Sequence, residues 1–415
     1  MKTKHVLYLY LSLLLGYCTT EFFDYNFWIV YILSVIIYWS LICITDHIFV
    51  RCNFPVLSTE KRVHSGKREV GGDIARTVAV ILVPVVHFFG LTYYYSTEFT
   101  EYMIFPTAVR WLGICAVPMF MIISGYFKCN AKICKKHYFA VIPLLFTHIF
   151  ISCIRIWVDH KFHGAVVDWE YIKDKLLFFE YGWYIRLYIG MLLLMPFFNI
   201  AYKNIGEKWK KEVFILTLVG LNALGPLTFD VVPSSWLIFY VFGYYIIGCY
   251  LYEYKVNVNP IFALMAFCSI TAFVSAATYM HCKNNVFDWS FIGYAGNSGY
   301  SSMITVFMSM IITSVCFNIN FKFKPLALLF KAVSLVSLEM YLFSQMFDGF
   351  IYKDIIENNV AFSHSFRNII YLAGTSILLS FFASWIKKII FMPGNMIKVF
   401  FSKKGNAEIS VDQKE

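Results

Sequence analysis

Charge is what this sequence has least of. Only 14% of its 415 residues are Asp, Glu, Lys or Arg, where soluble globular domains carry about one quarter. No stretch of soluble-domain composition is left between the apolar runs, so a water-soluble enzyme is excluded. The eleven Cys stand singly, with no CxxC pair and no Cys/His cluster at metal-ligand spacing, which excludes a metal module. They read as packing residues; Cys129 and Cys134, in a basic loop, are the one pair placed for redox chemistry. The absence of any Asn-x-Ser/Thr acceptor fits a bacterial chain. No small-residue cleavage pattern follows the apolar N-terminus, which therefore reads as a retained anchor. No fixed-period repeat relates the two halves, as a transporter or flippase of lipid-linked glycans, the alternative function for so many helices, would lead one to expect.

What the chain does have is apolar length. Apolar residues make up 59% of it, in runs near the 20 residues that cross a bilayer as a helix. The 43 Phe, 29 Tyr and 10 Trp concentrate at run edges, as interfacial rings do. Twelve helices are predicted, at 6–23, 27–48, 73–95, 109–127, 138–157, 178–202, 212–229, 234–254, 260–280, 299–319, 326–348 and 367–390. The fold class is thus all-α, a polytopic transmembrane bundle. With the N-terminus in the cytoplasm, the inside loops hold most of the Lys and Arg, while the outside positions hold only Arg110, Lys161, Lys173, Lys175, Lys283, Lys353 and Arg367. That bias puts both termini in the cytoplasm of an inner (plasma) membrane protein. It also explains the net charge of +10 by topology and attraction to anionic lipid, with no need for nucleic acid. The predicted units are a hairpin (1–50), a basic linker (51–72), a ten-helix core (73–390) and a tail (391–415).

One stretch, "DIARTVAVILVPVVH" from Asp73 to His87, places two ionisable groups on a membrane helix. Eleven residues at 100° each come within about 20° of three full turns, so Arg76 and His87 share a face, about 16 Å apart along the axis. Asp73 shares that face and is placed to pair with Arg76. Pro84 frees a carbonyl between them. Arg76 can snorkel to the interface and His87 can be an interhelical donor; an ionisable group inside a membrane is equally a functional candidate, because placing it there is costly.

Arginine, ten residues and histidine opening the first core helix resemble the acyltransferase-3 family. "AVPMFMIISGYF", Ala116 to Phe127, is similar to that family's second core helix with its Ser-Gly-Tyr end, and "KKHYFAVIPLL" to the start of the third. "GWYIRLYIGMLLLMPFFN", "FYVFGYYIIGCYL" and "SLEMYLFSQMF" resemble segments of the polysaccharide O-acetyltransferase branch. The likeness runs from about Arg68 to Lys388. Two positions depart from it: Ser344 stands where many relatives have His, and Arg186 where they have a smaller polar residue.

The resemblance implies transfer of an acyl group, expected to be acetyl, from cytoplasmic acyl-CoA to a hydroxyl of a surface or capsular polysaccharide or its lipid-linked precursor. Acetyl-CoA is then a co-substrate, with no resident cofactor and no metal. Arg76, Lys135 and Lys136 would hold the donor's phosphates, since cations bind these in forked or point-charge geometry. Ser124, Gly125 and Tyr126 would complete the donor site, with Ser124 and the Gly125 backbone offered to the oxyanion. His87 would be the base or a covalent relay, imidazole titrating near neutrality. Glu339 would orient His87, bind the sugar or neutralise Arg186, and Tyr341 would support the site.

Overall fold

Each predicted run that the structure describes folds as a helix, because a buried or lipid-facing backbone must satisfy its own hydrogen bonds. The computed structural model describes residues 27–44, 57–63, 68–162, 164–177, 182–223, 238–288, 299–319 and 323–391, with isolated positions before residue 20. The first predicted helix (6–23) lies almost wholly outside the described residues, as does the tail beyond Phe391.

In chain order the larger elements are α1 (Phe27–Ile42), β1 (Leu57–Lys61), α2 (Val70–Leu91), α3 (Ile104–Ile114), α4 (Ala116–Lys128), α5 (Val141–Phe162), α6 (Trp169–Leu176), α7 (Trp183–Asn204) and α8 (Lys208–Ala223). There follow α9 (Tyr240–Glu253), β2 (Tyr254–Val258), α10 (Pro260–Cys282), α11 (Met303–Asn318), α12 (Lys324–Ser334), α13 (Ser337–Ile351) and α14 (Ile369–Ile390). The molecule is an all-α polytopic bundle. Six helical stretches among the described residues are long and apolar enough to cross a membrane, α3 and α4 forming one of them, from Glu101 to Lys128. α9 is helical as predicted but only 14 residues long, and every residue from Tyr240 to Leu251 is buried. It is an interior helix, free of charged residues up to Glu253 at its end for that reason.

α2 is the hub, packing against α3, α4, α11, α12, α13 and α14. This is why the helix carrying Arg76 and His87 has polar residues facing protein on several sides. The predicted helix 326–348 is a broken one: α12 and α13 meet at 68°. The break matters for the site, because it puts Glu339 in the first turn of α13, where the unbroken reading has it mid-span.

Part of the predicted linker is built into the core. Leu57–Lys61 pairs antiparallel with Tyr254–Val258, with Thr59 opposite Val256. Arg62 donates from its backbone N–H to the Glu253 carbonyl (2.9 Å) and from Nε to the Leu251 carbonyl (3.1 Å). Cys129 and Cys134 are both free thiols, the former buried and the latter exposed.

α4 and α9 cross at Gly125 and Gly248. A Cβ at Gly125 would lie 1.9 Å from the Tyr245 carbonyl oxygen, and one at Gly248 would lie 2.0 Å from that of Ile122. Both obstacles are backbone, so a methyl can be admitted only by separating the helices. Gly125→Ala is therefore expected to destabilise the fold by about 3 kcal/mol, the upper end for overpacking, read as a lower melting temperature of the detergent-solubilised protein. An unchanged melting temperature would contradict the close crossing.

Candidate active site

Near the end of α2, one turn beyond Pro84, His87 places Nδ1 2.7 Å from Oδ2 of Asp348 on α13. The Asp348 side chain is fully buried, while that of His87 is 17% exposed. An ionised carboxylate only accepts hydrogen bonds, so the pair assigns the ring proton to Nδ1. Nε2 is then the ring's acceptor, and His87 lines a cavity of about 480 Å³. Further lining comes from Tyr95, Arg110, Arg155, Trp183, Tyr341 and Gln345. Arg155 braces this region: Nε meets Asp159 at 2.7 Å and Nη1 donates to the Met346 carbonyl at 3.2 Å, two residues before Asp348. The chemistry on offer is proton abstraction by an imidazole whose tautomer and orientation a carboxylate holds.

Arg76 lines a second cavity, of about 350 Å³, with Ser124, Phe127, Lys128, Tyr188, Ser334 and Glu339 among its walls. Its guanidinium lies 4.4 Å from the Phe127 ring centre and donates from Nη1 to the Ser334 hydroxyl at 3.3 Å. Stacking on an aromatic face leaves much of the planar fork directed sideways, as an anion requires. The two cavities are separate. They share one wall, Tyr341, whose ring packs edge-to-face on Tyr184 with centroids 5.4 Å apart. The single track expected from the shared helix face is thus interrupted by a side chain of a neighbouring helix, which periodicity along α2 cannot anticipate.

Other predicted site residues fall as follows. Asp73 makes its hydrogen-bonded ion pair with Arg68 through both oxygens, at 2.6 and 2.8 Å, while on Arg76 its charge acts only at longer range; Arg68, ahead of the helix, reaches its carboxylate with a two-pronged grip. Glu339 pairs with Lys387 at 2.9 Å, and Lys387 also donates to Thr147. It therefore neither orients His87 nor neutralises Arg186; the bend between α12 and α13 carries it to the Arg76 cavity instead. Ser124 lines that same cavity and donates to the Phe120 carbonyl at 2.7 Å. Gly125 is consumed by the crossing with α9, so the pair is not brought to His87 as oxyanion donors. Tyr126 donates to Glu69 and stacks on Phe317 at 4.1 Å, a packing position. Lys135 and Lys136 are exposed in the short helix Lys135–Phe139, outside the Arg76 cavity; Lys128 is the lysine that lines it. Arg186 lines a third, larger cavity with Trp183, Tyr240 and Tyr300. Ser344, in the place of a relative's His, donates to the Tyr341 carbonyl at 2.9 Å.

Asp348 and Arg110 are the residues that sequence reasoning missed. A predicted span ending at 348 put Asp348 at its edge and hid its depth, yet an acid at the end of one span and a histidine near the end of another that runs in the same direction lie at similar depths. Arg110, counted among outside positions, is fully buried within the continuous Glu101–Lys128 span.

A family model described as "Acyltransferase domain" matches residues 70–387, well over half of the chain and all of the helices that build both cavities. No curated protein and no solved structure matches the chain.

Proposed function

This chain belongs to the acyltransferase-3 family and is a membrane acyltransferase; from that premise we propose that it is an O-acetyltransferase using cytoplasmic acetyl-CoA to acylate a hydroxyl of a cell-surface glycan or its lipid-linked precursor. The observation that carries this reading is the partly exposed His87 held by the buried Asp348 and opening on a cavity lined by charged and aromatic side chains inside an apolar bundle. Intramembrane ionisable pairs of this kind are costly and belong to function more than to packing.

In the proposed reaction the acceptor hydroxyl gives its proton to Nε2 of His87 as its oxygen forms a bond to the thioester carbonyl carbon. The tetrahedral intermediate then expels the CoA sulfur, which takes the proton back from the imidazolium. Asp348 holds Nδ1–H throughout and stabilises the transient positive charge on the ring. Arg76 and Lys128 hold the donor's phosphates at the other cavity. Between the two, the pantetheine arm has to pass Tyr341, so the ring of Tyr341 turns aside when the donor is seated.

The test is acetyl transfer from labelled acetyl-CoA to the host's glycan fraction, in membranes holding wild-type protein or His87→Ala at equal level. Loss of labelled glycan in the variant is expected, and equal labelling would end the reading. Arg76→Ala is expected to raise KM for acetyl-CoA by about tenfold or more, the worth of a charge-assisted phosphate contact, with the melting temperature little changed. An unchanged donor KM would return Arg76 to a purely structural role.

A further inference from the structure

The cavity of His87 is cationic. Arg110 from α3, Arg155 from α5 and Lys175 from α6 all line it beside His87. Arg110 is held from behind, with Nε on the Tyr95 hydroxyl at 3.0 Å and the guanidinium 5.1 Å from the Phe287 ring centre. Lys175 lies 5.1 Å from the ring centre of Tyr171 on the same short helix. The carboxylates beside this wall, Asp159 and Asp348, are engaged by Arg155 and His87, and no carboxylate lines the cavity among the described residues. The rings of Tyr95, Trp183 and Tyr300 and the side chain of Gln345 complete the lining. That is the surface expected to stack on a sugar ring and to hydrogen-bond its hydroxyls.

We infer that this cavity selects an anionic acceptor: a sugar carrying a carboxylate or phosphate, seated so that Arg110 and Lys175 hold the anion while the hydroxyl to be acylated meets Nε2 of His87. The inference rests on the reading of His87 as the base and adds the acceptor's chemical class. A neutral sugar would satisfy the aromatic rings and the amide but would offer no opposite charge to Arg110 and Lys175 on the cavity wall. Cations so placed mark the path of an anion. The donor's phosphates are the other source of negative charge, and on the reading above they remain at the Arg76 cavity.

Two measurements test this. The acetyl groups lost from the host's glycans on deletion of the gene are mapped by mass spectrometry of the separated sugars. They are expected on a residue bearing a carboxylate or phosphate, and acetyl groups lost from a neutral residue would overturn the inference. In parallel, Lys175→Gln, a change on a half-buried short helix, is assayed with the host's glycan fraction and acetyl-CoA. KM for the glycan is expected to rise about tenfold, the effect of losing one charge-assisted contact, with KM for acetyl-CoA unchanged and with Lys175→Arg restoring the glycan KM. A rise confined to acetyl-CoA would assign these cations to the donor, and no change in either constant would remove Lys175 from recognition; each result overturns the inference. If deletion and His87→Ala both leave glycan acetylation intact, the enzymatic reading itself fails, an outcome separate from the others.

Discussion

His87→Ala is expected to leave a folded, membrane-inserted protein that transfers acyl groups at least about a thousandfold more slowly, the middle of the range for general-base catalysis. The reason is that no second base is placed to substitute. Among the described residues lining the cavity, the remaining ionisable side chains are the basic Arg110, Arg155 and Lys175 and two tyrosine hydroxyls besides Tyr341. His87 is also partly exposed to the cavity, so its removal opens space at the cavity wall and not in the packed interior. The measurement is single-turnover transfer of labelled acetyl groups, with CoA binding measured in parallel. Retained CoA binding with lost transfer separates a chemical role from a packing role, and a transfer rate within tenfold of wild type would contradict the assignment of the base.

Asp348→Asn should be nearly as damaging, although the two side chains are close in size. An amide can present its NH₂ to Nδ1, which stabilises the tautomer with the proton on Nε2, and that tautomer cannot accept a proton from the acceptor hydroxyl. A loss of about a hundredfold or more is expected, in line with the cost of mis-setting an imidazole in other acid–base sites. Asp348→Glu, which keeps the charge at a slightly shifted position, should recover part of the rate, so the pair of variants distinguishes charge and tautomer from volume. Equal activity of Asn and Asp variants would mean that the 2.7 Å contact does not set the protonation pattern of His87. The Asp348→Asn protein should still bind CoA, because that residue lines neither wall of the Arg76 cavity.

How far the sequence reached is best seen at particular residues. Arg76 and His87 each open on a cavity, but on two different ones, so the single track that periodicity along α2 predicts is not what the bundle builds. The periodicity argument failed on Asp73 because Arg68 lies in the segment before the helix, where no helical spacing rule applies. It failed on Glu339 because a span of adequate apolar length turned out to be two helices meeting at 68°, and nothing in hydropathy distinguishes a straight span from a bent one. The motif ending in Ser-Gly-Tyr was singled out for the donor site, but its Gly is explained by a helix crossing and its Tyr by a stack on Phe317. Motif residues can mark the fold's tightest packing as readily as its chemistry.

The sequence by itself determined the membrane-embedded helical class, the positions of most of the described helices and the placing of a cation and an imidazole along one helix. These follow from composition and from a 3.6-residue period, both readable within a few turns of chain. Only the tertiary structure decided that the imidazole's partner is Asp348, 261 residues away, and that Tyr341 stands between the cavity of Arg76 and that of His87. Those two facts depend on which faces of α2 and α13 meet. That choice is made by packing of the whole bundle, which no local period records.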